Sequence, residues 1–250
     1  MTEILTREYP LTISDIDCHR FCRLSALLSY IQNIATDHGS ILGVGGDVME
    51  AEYGAVWMMA RMYLRLFRPI AHGGEVRLTT WHRGADKTAI VNRDLDIFVG
   101  EEHVGEAVIS WVIVDLAERK LVKPLSLSSV VSSLRPSIVK DITPAKLKPP
   151  EYMAQEFVRV VRYSDTDING HMNNTKYVDI ACDAIQYGKL AGKFISEVQI
   201  NYLHECFPEE ELIILLGKQD GCEYVRGTDS NGKARFDVSL KIEDIIIRNA

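Results

Sequence analysis

No apolar run of about 18 residues occurs anywhere in the 250-residue sequence, so no segment is suited to cross a membrane as a helix. The opening residues, MTEILTREYP, lack the basic start and long apolar stretch of a signal peptide. No CxxC pair is present. The five cysteines (Cys18, Cys22, Cys182, Cys206, Cys222) are odd in number and irregularly spaced, which argues against a disulfide framework or a zinc site. There is no excess of basic residues either. Lys and Arg total 28 against 35 Asp and Glu, a net charge of −7, which does not suit nucleic-acid binding. An acidic partner would have to dock on a local basic patch. These absences lead us to expect a cytoplasmic protein without metal, cofactor, nucleic-acid partner or membrane segment. What is present is a 46% apolar, 25% charged composition, enough for a full core in one large domain or two of ordinary size.

The chain repeats itself weakly. Ser14-Asp15-Ile16-Asp17 matches Ser164-Asp165-Thr166-Asp167 at an offset of 164 − 14 = 150 residues. A strand-like run precedes each copy, Glu8–Ile13 and Phe157–Tyr163. A helical pattern follows each: Leu24, Leu27, Leu28, Ile31, Ile34 and Ala35 in the first half, Tyr177, Ile180, Ala181, Ala184 and Ala191 in the second. Gly39 and Gly43 are expected to end the first helix, Gly188 and Gly192 the second. Four strand-like runs follow in each half: Val56–Phe67, Glu75–Arg83, Ala89–Val99 and Val104–Asp115, then Ile195–Cys206, Glu211–Lys218, Glu223–Thr228 and Lys233–Asp244. Asp229-Ser230-Asn231-Gly232 is a hairpin signal. Strands following strands imply an α+β protein with antiparallel sheets, paired edge to edge so that no inner edge stays open. The expected divisions are 1–124, a Pro- and Ser-rich linker over 125–150, and 151–250.

The densest polar stretch is Tyr163–Tyr177, YSDTDINGHMNNTKY. It lies between a strand and a helix and holds more hydrogen-bonding groups than a turn can use. Asp165 reads as a turn residue, and Asn173 or Asn174 as a helix N-cap. Asp167, Asn169 and His171 supply carboxylate, amide and imidazole beside the unpaired N–H groups of a helix start, the parts for attack of water on a carbonyl. Along Gln199–Cys206, strand alternation would put Asn201, Leu203 and Glu205 on one face.

DTDINGHMNNTKY closely resembles the D-x-D-x-N-x-H-x-N-N-x-K-Y signature of the plant-type fatty acyl-ACP thioesterases and their bacterial relatives. Glu205-Cys206, 205 − 171 = 34 residues after the histidine, resembles that family's downstream Glu-Cys pair. VWMMARMYLRLFRPIAHGGEVRLTTW resembles its first-half W-x-x-x-R-M strand and following hairpin. The resemblance implies a double hotdog fold, with each repeat a long helix wrapped by a curved antiparallel sheet. It implies hydrolysis of the thioester between a fatty acyl chain and the phosphopantetheine arm of acyl carrier protein, by Asp167, Asn169, His171 and Glu205, and it needs no cofactor. The sequence departs from the plant members in starting almost at the first strand, without a plastid transit segment, which points to a bacterial cytosolic member. The first half keeps both aspartates in Ser14–Phe21 but lacks Asn-x-His, so it is expected to be catalytically silent and to shape the acyl pocket.

In that mechanism Glu205 or Asp167 takes the proton of water, and a backbone N–H near Met172–Asn174 receives the carbonyl oxygen. The rival chemistry is direct attack by Asp167. Cys206, a strand cysteine with no adjacent base, ranks below Glu205 as a reactive group. Asn174 is expected at the reacting end of the substrate, with Leu28, Ile34, Trp57 and Met59 along its tail. Alternative readings are an acyl-CoA thioesterase, a 3-hydroxyacyl-ACP dehydratase and a non-catalytic acyl-binding protein. No feature demands a homodimer.

Overall fold

The computed structural model describes residues 4–84, 87–127, 130, 142–185 and 187–245. Its frame is set by alternating strands. In β2 (Ala55–Leu66) Met62, Leu64 and Leu66 are buried at every second position. A bulge between Met59 and Arg61 brings Met59 onto the same buried set. The other first-half strands are β1 (Ile4–Pro10), β3 (Glu75–His82), β4 (Ile90–Val99), β5 (Glu102–Asp115) and the short β6 (Leu121–Val122). The second half contributes β7 (Met153–Val160), β8 (Lys193–Tyr202), β9 (Glu211–Gln219), β10 (Cys222–Thr228) and β11 (Ala234–Asp244). All pair antiparallel in one sheet, in the order β1-β3-β4-β5-β2-β8-β11-β10-β9-β7, with β6 on β5.

That order is palindromic in kind. Read from each outer edge, both halves run first, third, fourth, fifth, second strand. The two second strands meet at the centre, Arg61 opposite Asn201 through Arg65 opposite Glu197. This is the double hotdog arrangement, with the halves related by an internal pseudo-two-fold at the β2–β8 seam. The helices α1 (Leu24–Ile41) and α3 (Lys176–Ala184) lie against the sheet, and their buried faces join one core with residues from both halves. Among the described residues no helix is long and apolar enough to cross a membrane.

Several boundaries differ from the sequence expectation, for local reasons. Both first strands end early, at Pro10 and Val160 instead of Ile13 and Tyr163. In each case an aspartate beyond the strand reaches back three residues: the Thr12 N–H donates to Asp15 Oδ2 (2.7 Å) and the Arg162 N–H to Asp165 Oδ2 (2.9 Å). These bonds close short 3-10 turns, Ile13–Asp15 and Tyr163–Asp165. Helix α1 runs through Gly39, and the chain leaves it at Gly43, whose φ of +72° suits a residue without Cβ. Helix α3 stops at Ala184, so Ala191 is not part of it. A helix not expected from the sequence, α2 (Gly46–Tyr53), packs Met49 into a small second core. Half of the expected linker, residues 128–129 and 131–141, lies outside the described residues. Its last part crosses the seam: Arg61 donates to the Pro144 carbonyl (3.2 Å) and Gln199 to the Ala145 carbonyl (2.5 Å).

Candidate active site

The loop between β7 and α3 is built by its own polar residues. Asp165 is 2% exposed and accepts hydrogen bonds from the Arg162 N–H and from Arg159 Nη2 (2.6 Å). It braces the turn, as expected of a turn residue. The Asp167 N–H donates to the His171 carbonyl (3.0 Å), and Asp167 Oδ1 accepts the Asn169 N–H (2.9 Å). Gly170 between them takes φ +76°, which lets the loop turn this tightly. Helix α3 starts at Lys176 with Thr175 as its cap, one or two residues later than a cap at Asn174 or Asn173 would place it. Asn173 still organises the start: its Oδ1 accepts the Thr175 N–H (2.9 Å) and the Thr175 hydroxyl (2.8 Å).

One backbone bond joins this loop to the far acid. The Met172 N–H donates to the Cys206 carbonyl (2.8 Å), which sets Glu205 beside the loop. The strand alternation expected for Glu205 does not do this. Strand β8 ends at Tyr202, and the next two N–H groups, of Leu203 and His204, both donate to the Arg235 carbonyl (3.0 Å each). Two donors on one acceptor break the pleat. Glu205 is therefore presented by a turn, held through its own carbonyl by Arg235 Nη1 (3.2 Å).

The side chains converge on a cavity of about 890 Å³. Asp167, Asn169, His171, Asn174 and Glu205 line it, as do Trp57 and Met59. Leu28 and Ile34 do not. They are 2% and 0% exposed within the main core. The cavity-facing stripe of α1 is Gln32, Ala35, Thr36 and Gly39, spaced i, i+3, i+4, i+7 and turned from the core-facing stripe. Sequence reasoning missed Gln32, His82, Arg93 and Trp111 among the lining residues. The i, i+3, i+4, i+7 spacing was the available signal for Gln32. For His82 and Arg93 there was none, because which sheet face meets a cavity is a tertiary fact.

Hydrogen bonding orients the imidazole. His171 Nδ1 lies 3.2 Å from the Met172 carbonyl, which can only accept, so Nδ1 is the donor in this contact and Nε2 is the nitrogen left for another partner. Asp167 Oδ1 stands 3.9 Å from the same Nδ1. Of the N–H groups expected to receive a carbonyl oxygen, Met172's is taken by Cys206 and Asn173's by the Asp165 carbonyl (2.8 Å). Among the described residues only the Asn174 N–H of these three has no protein partner. Tyr202 donates to the Asn174 carbonyl (3.0 Å) and so steadies that peptide. Beneath it, Tyr177 packs edge-on against Tyr202 and Phe236. Burial, and then the neighbouring Cys206 and Glu205, push the Tyr177 hydroxyl far up, so it stays protonated. Cys206 is wholly buried, and burial raises its thiol to about 11. A buried neutral thiol is a poor nucleophile.

Residues 2–125 match the family model of the acyl-ACP thioesterase N-terminal domain, and residues 150–244 that of the C-terminal domain. A chloroplastic acyl-[acyl-carrier-protein] hydrolase of Cuphea viscosissima is 19% identical over 246 residues, covering 92% of this chain and 56% of the relative. The chain spans little more than half the length of the curated relatives it matches. In structure it is similar to an acyl-ACP thioesterase from Bacteroides thetaiotaomicron, with TM-score 0.88, 20% identity, and coverage of 97% of this chain and 100% of the other. It is also similar to the 12:0-ACP thioesterase from Umbellularia californica, with TM-score 0.84, 18% identity and 98% of both chains covered.

Proposed function

The chain belongs to the acyl-ACP thioesterase family, and on that footing we propose that it hydrolyses the thioester of a fatty acyl group carried on acyl carrier protein. The products are the free fatty acid and the carrier's phosphopantetheine thiol. One observation supports this most directly: the Met172-to-Cys206 bond brings a carboxylate and an imidazole, distant in sequence, to the wall of one large cavity.

In the proposed reaction Glu205 takes the proton of an attacking water. The water's oxygen adds to the thioester carbon, and the carbonyl oxygen gathers negative charge against the Asn174 N–H. His171 holds the water through Nε2, and Asp167 holds His171. When the tetrahedral intermediate collapses, the carbon–sulfur bond breaks. The thiolate leaves and takes up the proton from Glu205. A thiolate is a weak enough base that no strong general acid is required. The tail lies along Trp57, Met58 and Met59 beneath the α1 stripe. Each methylene it buries contributes about 0.8 kcal/mol, so cavity depth sets chain preference.

The test is release of free acid from acyl-ACPs of graded length, beside the matching acyl-CoAs, for the wild type and Glu205→Gln. The variant is expected to lose about two orders of magnitude in kcat, the usual scale for a general base. No release from any acyl-ACP would refute the activity, and faster release from acyl-CoA would change the carrier.

A further inference from the structure

The same cavity has a second group of polar lining residues that the hydrolysis does not use. His82, at the end of β3, and Arg93, in the middle of β4, line it together with Trp57, Trp111 and the catalytic loop. Arg93 is 2% exposed and His82 6%. Arg93 Nη1 bonds His38 Nδ1 (2.8 Å) and the Thr80 hydroxyl (3.2 Å), and Nη2 bonds His82 Nε2. A guanidinium has five N–H donors, so the protein takes up three.

None of those partners is an anion. Among the described residues no carboxylate lies within ion-pair distance of Arg93. Asp94 is its neighbour in sequence but faces the other side of the sheet, where Arg83 holds it through two bonds of 2.7 Å. Burial lowers Arg93 only to about 9, so it remains a cation at neutral pH. His82 is driven well below its ordinary value by burial, then by Arg93 and His38, and is neutral. Its Nε2 accepts from Arg93, so its proton sits on Nδ1, and among the described residues that buried atom has no hydrogen-bond partner. A buried cation without an anion and a buried donor without an acceptor are both costly unless something completes them. Gln32 Oε1, also on the cavity lining, is likewise buried and, among the described residues, unpartnered.

We propose that this part of the cavity lining recognises an oxygen acceptor carried on the substrate's tail, so that the preferred acyl chains are those bearing a distal hydroxyl or carboxylate. This rests on the thioesterase reading and names the substrate class for it. A carboxylate would supply the missing counter-anion to Arg93, and either group would accept the His82 Nδ1–H. A chain ending in methyl leaves both unmet. A site built for hydrogen bonding rejects the analogue that lacks the partner far more strongly than an apolar slot rejects an added group.

The experiment compares acyl-ACPs of matched length ending in methyl, hydroxyl or carboxylate, across a range of lengths. At the length that reaches the cluster, kcat/KM is expected to be at least tenfold higher for an oxygen-bearing end than for methyl. His82→Phe, which keeps the ring and removes the donor, is expected to bring the hydroxyl-to-methyl ratio towards one, and Arg93→Met the carboxylate-to-methyl ratio. Methyl-ended chains preferred at every length by the wild type would overturn the proposal. Calorimetry with non-hydrolysable acyl-pantetheine amides bearing the same three ends reads the discrimination without turnover. If no thioester is cleaved, the activity fails, and the calorimetric ratio alone decides the inference. Should Arg93→Met not fold, His82→Phe and the wild-type ratios still decide it.

Discussion

Asp167 has a natural control inside the same molecule. Asp17, its counterpart 150 residues earlier, sits in a loop of the same construction: Asp17 N–H to the Phe21 carbonyl (2.8 Å), Cys22 N–H to the Ile70 carbonyl (2.7 Å) and Arg23 N–H to the Asp15 carbonyl (2.7 Å). These match bonds of Asp167, Met172 and Asn173 one for one. The match sets Phe21 where His171 stands and Pro69 where Glu205 stands, so the first loop keeps the backbone without that imidazole and carboxylate. Asp17 Oδ1 accepts both the His19 and the Phe21 N–H (2.9 Å each), whereas Asp167 Oδ1 accepts only the first of the equivalent pair and stands near the imidazole. An aspartate here braces the loop in either half, and Asp167 also brings its carboxylate to 3.9 Å from the His171 imidazole. Asp167→Asn, which keeps the acceptor and removes the charge, should therefore lower kcat by about two orders of magnitude, while Asp17→Asn should leave it within a few-fold. Equal effects of the two substitutions on free-acid release would reduce Asp167 to a loop brace. Cys206→Ala should keep turnover within a few-fold as well, because the thiol is buried and protonated. A loss as large as that of Glu205→Gln would return sulfur to the chemistry.

At the level of elements, what was legible followed from how local each signal is. The strands of both halves and the core face of α1 could be read from periodicity, because burial on one face imposes a spacing of two or of 3.6. The polar loop of the candidate site was legible because Asp167, Asn169 and His171 lie within five residues of one turn, and all three line the cavity. Glu205 took its proposed role from family resemblance, and the strand geometry offered for it was wrong, since β8 had already ended. Leu28 and Ile34 were misplaced for a related reason: periodicity marks a buried face but does not say whether core or cavity lies opposite. Helix α2 is short, with one buried residue, and leaves almost no periodic trace. Support beneath the site is also an element-scale matter. On β10, a Cβ at Gly227 would fall 2.1 Å from the ring of Phe236 on β11, and that ring packs edge-on against Tyr177 of α3, centroids 5.0 Å apart. Gly227→Ala should therefore cost about 1–3 kcal/mol through overpacking. Urea unfolding should show a lower midpoint with unchanged slope. A midpoint equal to the wild type's would mean that the ring has room to move.

On the scale of the whole molecule, everything depends on the seam between β2 and β8, because the cavity takes its loop from one half and its α1 stripe from the other. A side-chain bond reinforces that seam. Tyr63 of β2 donates its hydroxyl to Glu197 Oε2 of β8 (2.8 Å), and Lys241 of β11 donates to Glu197 Oε1 (3.0 Å). Burial alone would raise the Glu197 carboxyl, but the hydrogen bonds from Tyr63 and Lys241 and the charges of Lys241 and Arg65 outweigh it, so it ends below its ordinary value. A carboxyl lowered by folding contributes stability above its unfolded value, and that contribution is lost as pH falls through the folded value. The seam should thus hold at neutral pH and weaken as the medium is acidified below the usual glutamate range, about 4.3. Glu197→Gln keeps an acceptor for Tyr63 but removes the charge, so its urea midpoint should lie below the wild type's at pH 7. The two midpoints should converge as pH is lowered past that range, because the wild-type carboxylate is then neutral too. Midpoint curves that stay parallel from pH 7 to 3 would show that the halves are joined by their backbone ladder and apolar core alone, with no contribution from the charge at the seam.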